Sequence, residues 1–162
     1  RNRPDPPFGT HCAKKPGRAR MNAEFAITQL LYRYAELMDA GDLAGAAALF
    51  ADARIVLGGG HETDSAGLLA IWHERVMIHP CGTPRTRHVV TNPIVEVDES
   101  AGTATCRSYY TVLQQTETLP LQVIAAGRYH DTFARVDGAW GFASRDYSLF
   151  DMQGDLSQHL RG

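Results

Sequence analysis

Apolar residues in this chain recur every three to four positions up to about residue 77, then alternate from His88 onward, and the two regimes do not interleave. That single change of period fixes the class of fold. Residues 22–39 place Ile27, Leu30, Leu31, Tyr34, Leu37 and Met38 at the spacing of a helix with one buried face. Gly41 ends that helix, and Asp42 caps a second over Leu43–Phe50. Arg54–Leu57 is a short β-rich run stopped by Gly58-Gly59-Gly60. Ser65 caps a third helix running to about Met77, with Leu68, Leu69, Trp72 and Val76 facing inward. Four strands follow at His88–Val97, Thr103–Gln115, Leu121–Val136 and Ala139–Phe150. Asp137-Gly138 between the last two is a strong hairpin signal. Helices and antiparallel strands segregated in this way predict an α+β fold rather than a βαβ alternation. Long twisted strands wrapped over helices make a half-open cone, a natural pocket for a small molecule.

A chain of 162 residues is the length of one domain, large enough to bury its core without disulfide or metal. The net charge of -2 hides a split. Residues 1–20 hold six Lys or Arg against one Asp and four of the eight prolines. All ten later basic residues are Arg, against seventeen acidic groups. The abrupt change, followed at once by Met21, reads as a leader, tag or upstream residues outside the fold, leaving 21–162 as a single domain. An acidic body with no basic stripe argues against a nucleic-acid partner, and no apolar run of membrane-spanning length occurs. Cys12, Cys81 and Cys106 have neither disulfide-framework nor zinc-site spacing, which points to reduced thiols and a cytoplasmic protein.

The motifs of dinucleotide, P-loop, zincin and α/β-hydrolase chemistry are missing. Gly58-Gly59-Gly60-His61 is a turn, and His73, Glu74 and His79 are solvated residues near a helix end rather than a metal site. The polar residues that should line the cone remain. Asp39 closes the first helix, His88 opens the first long strand, Asn92 follows in it, and Arg145 lies in the last. Tyr32, Tyr34, Tyr109 and Tyr110 are further candidates. A histidine oriented by a carboxylate makes a general base near neutral pH, and an arginine offers a fixed cation to an anionic group. Each residue also has a structural reading: Asp39 as a solvated helix end, His88 as a strand histidine, Arg145 as half of an ion pair with Asp146, and the tyrosines as core or rim.

Three segments carry a resemblance: Ile27–Asp42 together with Leu49–Asp52, Arg87–Val97, and Gly127–Arg145. Over residues 22–150 the chain resembles the SnoaL-like branch of the NTF2-like superfamily. The resemblance implies three N-terminal helices packed on a strongly curved, mostly antiparallel mixed sheet enclosing a pocket. It also implies an activity, since the branch includes scytalone and bile-acid dehydratases, hexachlorocyclohexane dehydrochlorinases and polyketide cyclases. In dehydratase-like and dehydrochlorinase-like members an Asp at the end of the first helix and a His at the start of the next long strand form a catalytic dyad. Asp39 and His88 fall on those positions, Arg145 on the pocket arginine of the dehydrochlorinases, and Tyr34 on the tyrosine used by bile-acid dehydratases. The second histidine of scytalone dehydratases has no assignable counterpart, since the facing of His130 is open.

The expectation is a cofactor-independent, metal-free lyase acting on a small apolar cyclic molecule, with Asp39, His88 and Arg145 as catalytic residues. Tyr34, Asn92, Tyr109 and Tyr110 would line the substrate pocket. The same dyad would serve an isomerase or cyclase. A non-catalytic ligand-binding or assembly module is the alternative from another class, and an epoxide hydrolase, needing a second carboxylate, is a third. Relatives of this kind self-associate, so a homodimer or homotrimer is expected, with neither nucleic acid nor membrane as partner.

Overall fold

A computed structural model describes residues 22–161; the basic leader and Cys12 lie outside the described residues. Helix α1 spans Ala23–Ala40, α2 Leu43–Ala48 and α3 Ser65–Arg75. The strands are β1 (Arg54–Val56), β2 (Glu62–Thr63), β3 (Thr86–Asp98), β4 (Thr103–Gln114), β5 (Gln122–Val136), β6 (Ala139–Asp146) and β7 (Phe150–Gln153). They form one sheet of order β2-β1-β6-β5-β4-β3, with β7 pairing β5. All pairings are antiparallel except the parallel β1–β6 edge. This is the α+β architecture expected of an NTF2-like domain: three helices with a curled, mostly antiparallel mixed sheet. No helix among the described residues is long and apolar enough to cross a membrane.

The caps and ends follow local chemistry. Asn22 and Asp42 accept backbone N–H bonds at the starts of α1 and α2. Asp64, rather than Ser65, caps α3, and the Ser65 hydroxyl instead donates to the Ala47 carbonyl. Helix α3 stops at Arg75, because Val76 turns extended and forms an isolated bridge with Leu160. The expected strand Ala139–Phe150 is two strands. The chain leaves β6 at Asp146 and returns as β7, so the two share one long edge of β5: β6 takes His130–Val136 and β7 takes Ala125–Gly127.

Register shifts at Thr91/Ile94, Val112/Leu113 and Thr132/Phe133 bend the sheet around the helices, as bulges do. At the first of these Asn92 has a left-handed φ of 54°, a conformation asparagine tolerates better than most residues. The concave face buries Val112, Tyr110, Cys106 and Ala104 from β4 against Ile27, Leu31 and Tyr34 of α1 and Leu68 and Trp72 of α3. The convex face leaves Val89, Ile94 and Tyr109 exposed.

Candidate functional site

Asp39 sits in the last turn of α1, where the helix dipole disfavours a carboxylate. Three donors from β3 offset this. The Thr86 hydroxyl donates to Oδ1 at 2.8 Å, the His88 backbone N–H to Oδ2 at 2.8 Å, and the His88 ring Nδ1–H to Oδ1 at 2.6 Å. Burial works to raise the Asp39 pKa, but the hydrogen bonds and charge of His88, with Thr86, hold it below the ordinary value. The approach of helix end to strand depends on Gly41. Its φ is 79°, and a Cβ there would lie 2.4 Å from the Gly82 carbonyl in the loop leading to β3.

The His88 side chain is only 7% exposed. With Nδ1 donating to the carboxylate, Nε2 is the ring nitrogen left to accept a proton, and it has no hydrogen-bond partner among the described residues. Beside it stands Tyr34, edge-on with ring centroids 6.2 Å apart, and Tyr34 in turn meets Trp72 and Tyr129. The Tyr147 hydroxyl donates to the Tyr34 oxygen at 3.1 Å, leaving the Tyr34 O–H free to donate elsewhere. Tyr110 stacks on Tyr129 at 4.4 Å. Burial raises the Tyr110 hydroxyl to about 12 and pushes Tyr129 and Tyr147 well above the ordinary value, so these groups stay protonated.

Deeper in the cone a second pair is sealed. Arg145 donates through Nε and Nη2 to both oxygens of Asp131, each at 2.8 Å, and both side chains are fully buried. Tyr34, Phe50, Tyr129, Phe142 and Tyr147 surround the guanidinium, with Tyr129 nearest at 4.0 Å from ring centroid to Cζ. Burial opposes the charge, yet Asp131 holds the Arg145 pKa well above ordinary. Only Nη1 lacks a partner among the described residues. Arg145 therefore pairs with Asp131 and not with its neighbour Asp146, and the rings, Tyr34 among them, cover its guanidinium.

Asn92 and Tyr109, expected in the pocket, lie on the other side of the sheet. Both are exposed and line a convex-face cleft of 330 Å³ with Arg107, Arg128 and His130. Adjacent residues on a strand face opposite ways, so Tyr110 pointing inward sends Tyr109 outward, and the bulge carries Asn92 out of the concave row. His130 is exposed, and so is Tyr32 on the outer side of α1. His79 lies beyond α3, half-buried, with its Nε2 at 3.0 Å from the Gln158 carbonyl, whereas His73 and Glu74 are exposed. Cys81 is exposed and Cys106 buried; neither is in a disulfide. Burial and the nearby Asp131 raise the Cys106 thiol to about 11, which leaves it inert.

Among the polar groups that sequence reasoning missed are Thr86 and Gln114, both buried, together with Asp131 and His159. Asp131 shares the inward phase of Tyr129 and Phe133, a period-two signal that was present. His159 follows β7 in a segment without regular periodicity, where no pattern marks it; its Nδ1 is buried without a partner among the described residues. The five principal clefts, 330–830 Å³, are lined by other residues than Asp39 and His88. The largest lies between the start of α1 and the β5–β6 turn, beside Trp140.

The SnoaL-like domain family model matches residues 19–146. No curated protein sequence matches the chain. Among solved structures, Aln2 from a Streptomyces species is 27% identical, with a TM-score of 0.59 over 75% of this chain and 86% of its own. A candidate scytalone dehydratase from Novosphingobium aromaticivorans is 23% identical, with a TM-score of 0.61 over 81% of this chain and 85% of its own. From the same organism, the β subunit of a candidate aromatic-ring-hydroxylating dioxygenase is 21% identical, with a TM-score of 0.63 over 82% and 91%. The last two likenesses are of fold.

Proposed function

The chain belongs to the SnoaL-like domain family, and we propose that within it this protein is a cofactor-independent lyase, of dehydratase or dehydrohalogenase type, acting on a small, largely apolar cyclic molecule. The observation that carries the reading is His88: one ring nitrogen is fixed by a half-buried carboxylate at 2.6 Å, and the other has no partner among the described residues. A histidine held only for packing has no need of that arrangement, whereas a general base does.

In the proposed reaction His88 Nε2 takes a proton from the carbon next to an activating group. The C–H electron pair becomes the new double bond, and the leaving group departs from the adjacent carbon with its own bonding pair. Asp39 stabilises the imidazolium that forms. A departing hydroxide takes the Tyr34 proton and leaves as water. The proton on His88 then returns to Tyr34 through solvent, restoring both groups. Tyr147, donating to Tyr34, makes the Tyr34 O–H a better donor. A halide leaves as the anion, and His88 then releases its proton to solvent. Arg145 acts at one remove, as the cation that the surrounding tyrosine rings pack against.

The aromatic filling of the concave face favours a second reading, a small-ligand-binding or assembly module without chemistry. Proton exchange separates the two. Cyclic ketones carrying a β-hydroxyl or β-halogen are incubated with the protein in heavy water, and deuterium uptake and elimination are followed by mass spectrometry. The lyase reading expects both with the native chain and a loss of about 10²- to 10⁴-fold in His88→Ala. Activity that survives His88→Ala, or a native chain inert toward every member of the panel, would leave the module.

A further inference from the structure

The segment around His159, from Gln158 to Arg161, is held in place by hydrogen bonds to three parts of the frame. The Met77 N–H donates to the His159 carbonyl at 2.8 Å, and the Arg161 N–H donates to the Arg75 carbonyl at 2.8 Å. The Arg161 guanidinium reaches the His73 and Glu74 carbonyls at 3.0 and 2.9 Å. On the other side, the Gln158 carbonyl accepts from Gln114 Nε2 at 2.9 Å and from His79 Nε2 at 3.0 Å. Gln114 is the cross-strand partner of Thr86, whose hydroxyl holds Asp39. The residue preceding His159 is thus tied to the rung of the sheet that positions the dyad.

Two buried atoms in this region lack partners among the described residues, His159 Nδ1 and Gln114 Oε1. A buried polar atom without a hydrogen bond is costly, and a leucine would fill the space without that cost. The charges acting on His159 are those of His88, Asp39 and His79, and burial, the largest influence, lowers its pKa to about 4. At neutral pH the ring is therefore an uncharged imidazole, able to offer an N–H without bringing a second cation to the dyad.

We infer that His159 is a further binding residue of the dyad site, donating from its Nδ1–H to an oxygen of the bound molecule whose carbon faces His88 Nε2. The inference rests on the reading of Asp39 and His88 as the reacting pair and deepens it. It requires the ligand to carry a carbonyl, enol or hydroxyl oxygen near the carbon that loses its proton, and so ranks oxygenated rings above hydrocarbons and simple halocarbons of the same shape.

The test compares the binding of 2-naphthol, which presents an enol-like oxygen on a ring, with that of naphthalene. Native chain, His159→Leu and His159→Asn are titrated by intrinsic fluorescence and calorimetry, with thermal melts as the folding control. The amide nitrogen of Asn can occupy the place of the imidazole Nδ1. His159→Leu should weaken 2-naphthol about tenfold and leave naphthalene unchanged, and His159→Asn should recover most of the loss. Equal weakening of both probes, no recovery in Asn, or no saturable 2-naphthol binding by the native chain would each overturn the inference. If the naphthol preference follows His159 while the ketone panel shows no proton exchange, the lyase reading fails and the binding residue stands.

Discussion

Two acid–base pairs, one fully buried and one partly, lie on the concave side of the same sheet, and they differ in what is left over. Asp131 and Arg145 hold each other on two bonds: both carboxylate oxygens and two of the three guanidinium nitrogens are used, and aromatic rings pack over the guanidinium, whose Nη1 alone has no partner among the described residues. Asp39 is equally well satisfied, with three donors, but its partner His88 keeps one nitrogen uncommitted. Burial and pairing are common to both, so neither marks a reactive group. What separates a chemical pair from a structural one here is an unspent lone pair beside a proton donor, Tyr34.

The sharpest way to break this comparison is to remove Asp131. Asp131→Ala strands a charged guanidinium in the core and should cost about 3–5 kcal/mol. At roughly 2–4 °C per kcal/mol for a domain of this size, the thermal midpoint falls by about 6–20 °C. A change under about 1 kcal/mol in urea unfolding would show that the deep pair is not sealed as described.

Next in size is acid sensitivity. His159 is depressed in the folded state from 6.5 to about 4, with His79, His88 and Asp39 as its charged neighbours. The unfolded chain therefore takes up its proton first, and stability falls as pH drops from about 6.5 to about 4. The loss is on the order of 3 kcal/mol, at about 1.4 kcal/mol per pKa unit. His159→Leu should flatten urea midpoints across that window, and an unchanged slope would show that another group governs it. Asp39, lowered in the folded state, adds a further loss only at more acid pH, as it is protonated in turn.

The smallest effect on stability and the clearest contrast should come from Asp39→Asn. Shape and most hydrogen bonds remain, so unfolding should shift by only about 1–2 kcal/mol. Proton exchange should nevertheless fall by about 10²-fold or more, because the amide leaves the His88 tautomer unfixed and the imidazolium unstabilised. A variant that loses stability and keeps exchange would reverse the roles assigned to the two pairs.

Much of this was legible in the sequence for reasons of period. The face of α1 and the β3–β4–β5–β6 meander are amphipathic, and an Asp in a last helical turn before a capping glycine lies where a following strand can reach it. The errors also had physical causes. Tyr109 and Tyr110 cannot share a face, and strand alternation alone assigns one outward. Asn92 was misplaced by a bulge whose left-handed φ depends on tertiary bending. The break between β6 and β7 carries Tyr147, Ser148 and Leu149, with no glycine or proline to announce it. The segment that carries His159 is fixed by contacts with residues 73–79 and 114, a separation no local pattern encodes.

The interruption in β3 has a consequence for the chain in company. Among the described residues β3 is an outermost strand of 13 residues, and an uninterrupted row of free backbone groups that long is a template on which another molecule could lay a strand. Asn92 and Pro93 cut it into two short stretches, one residue turned out of the extended range and the next with no N–H to give. The same kink that turns Asn92 out of the concave row thus guards the sheet against growing sideways into fibrous aggregates.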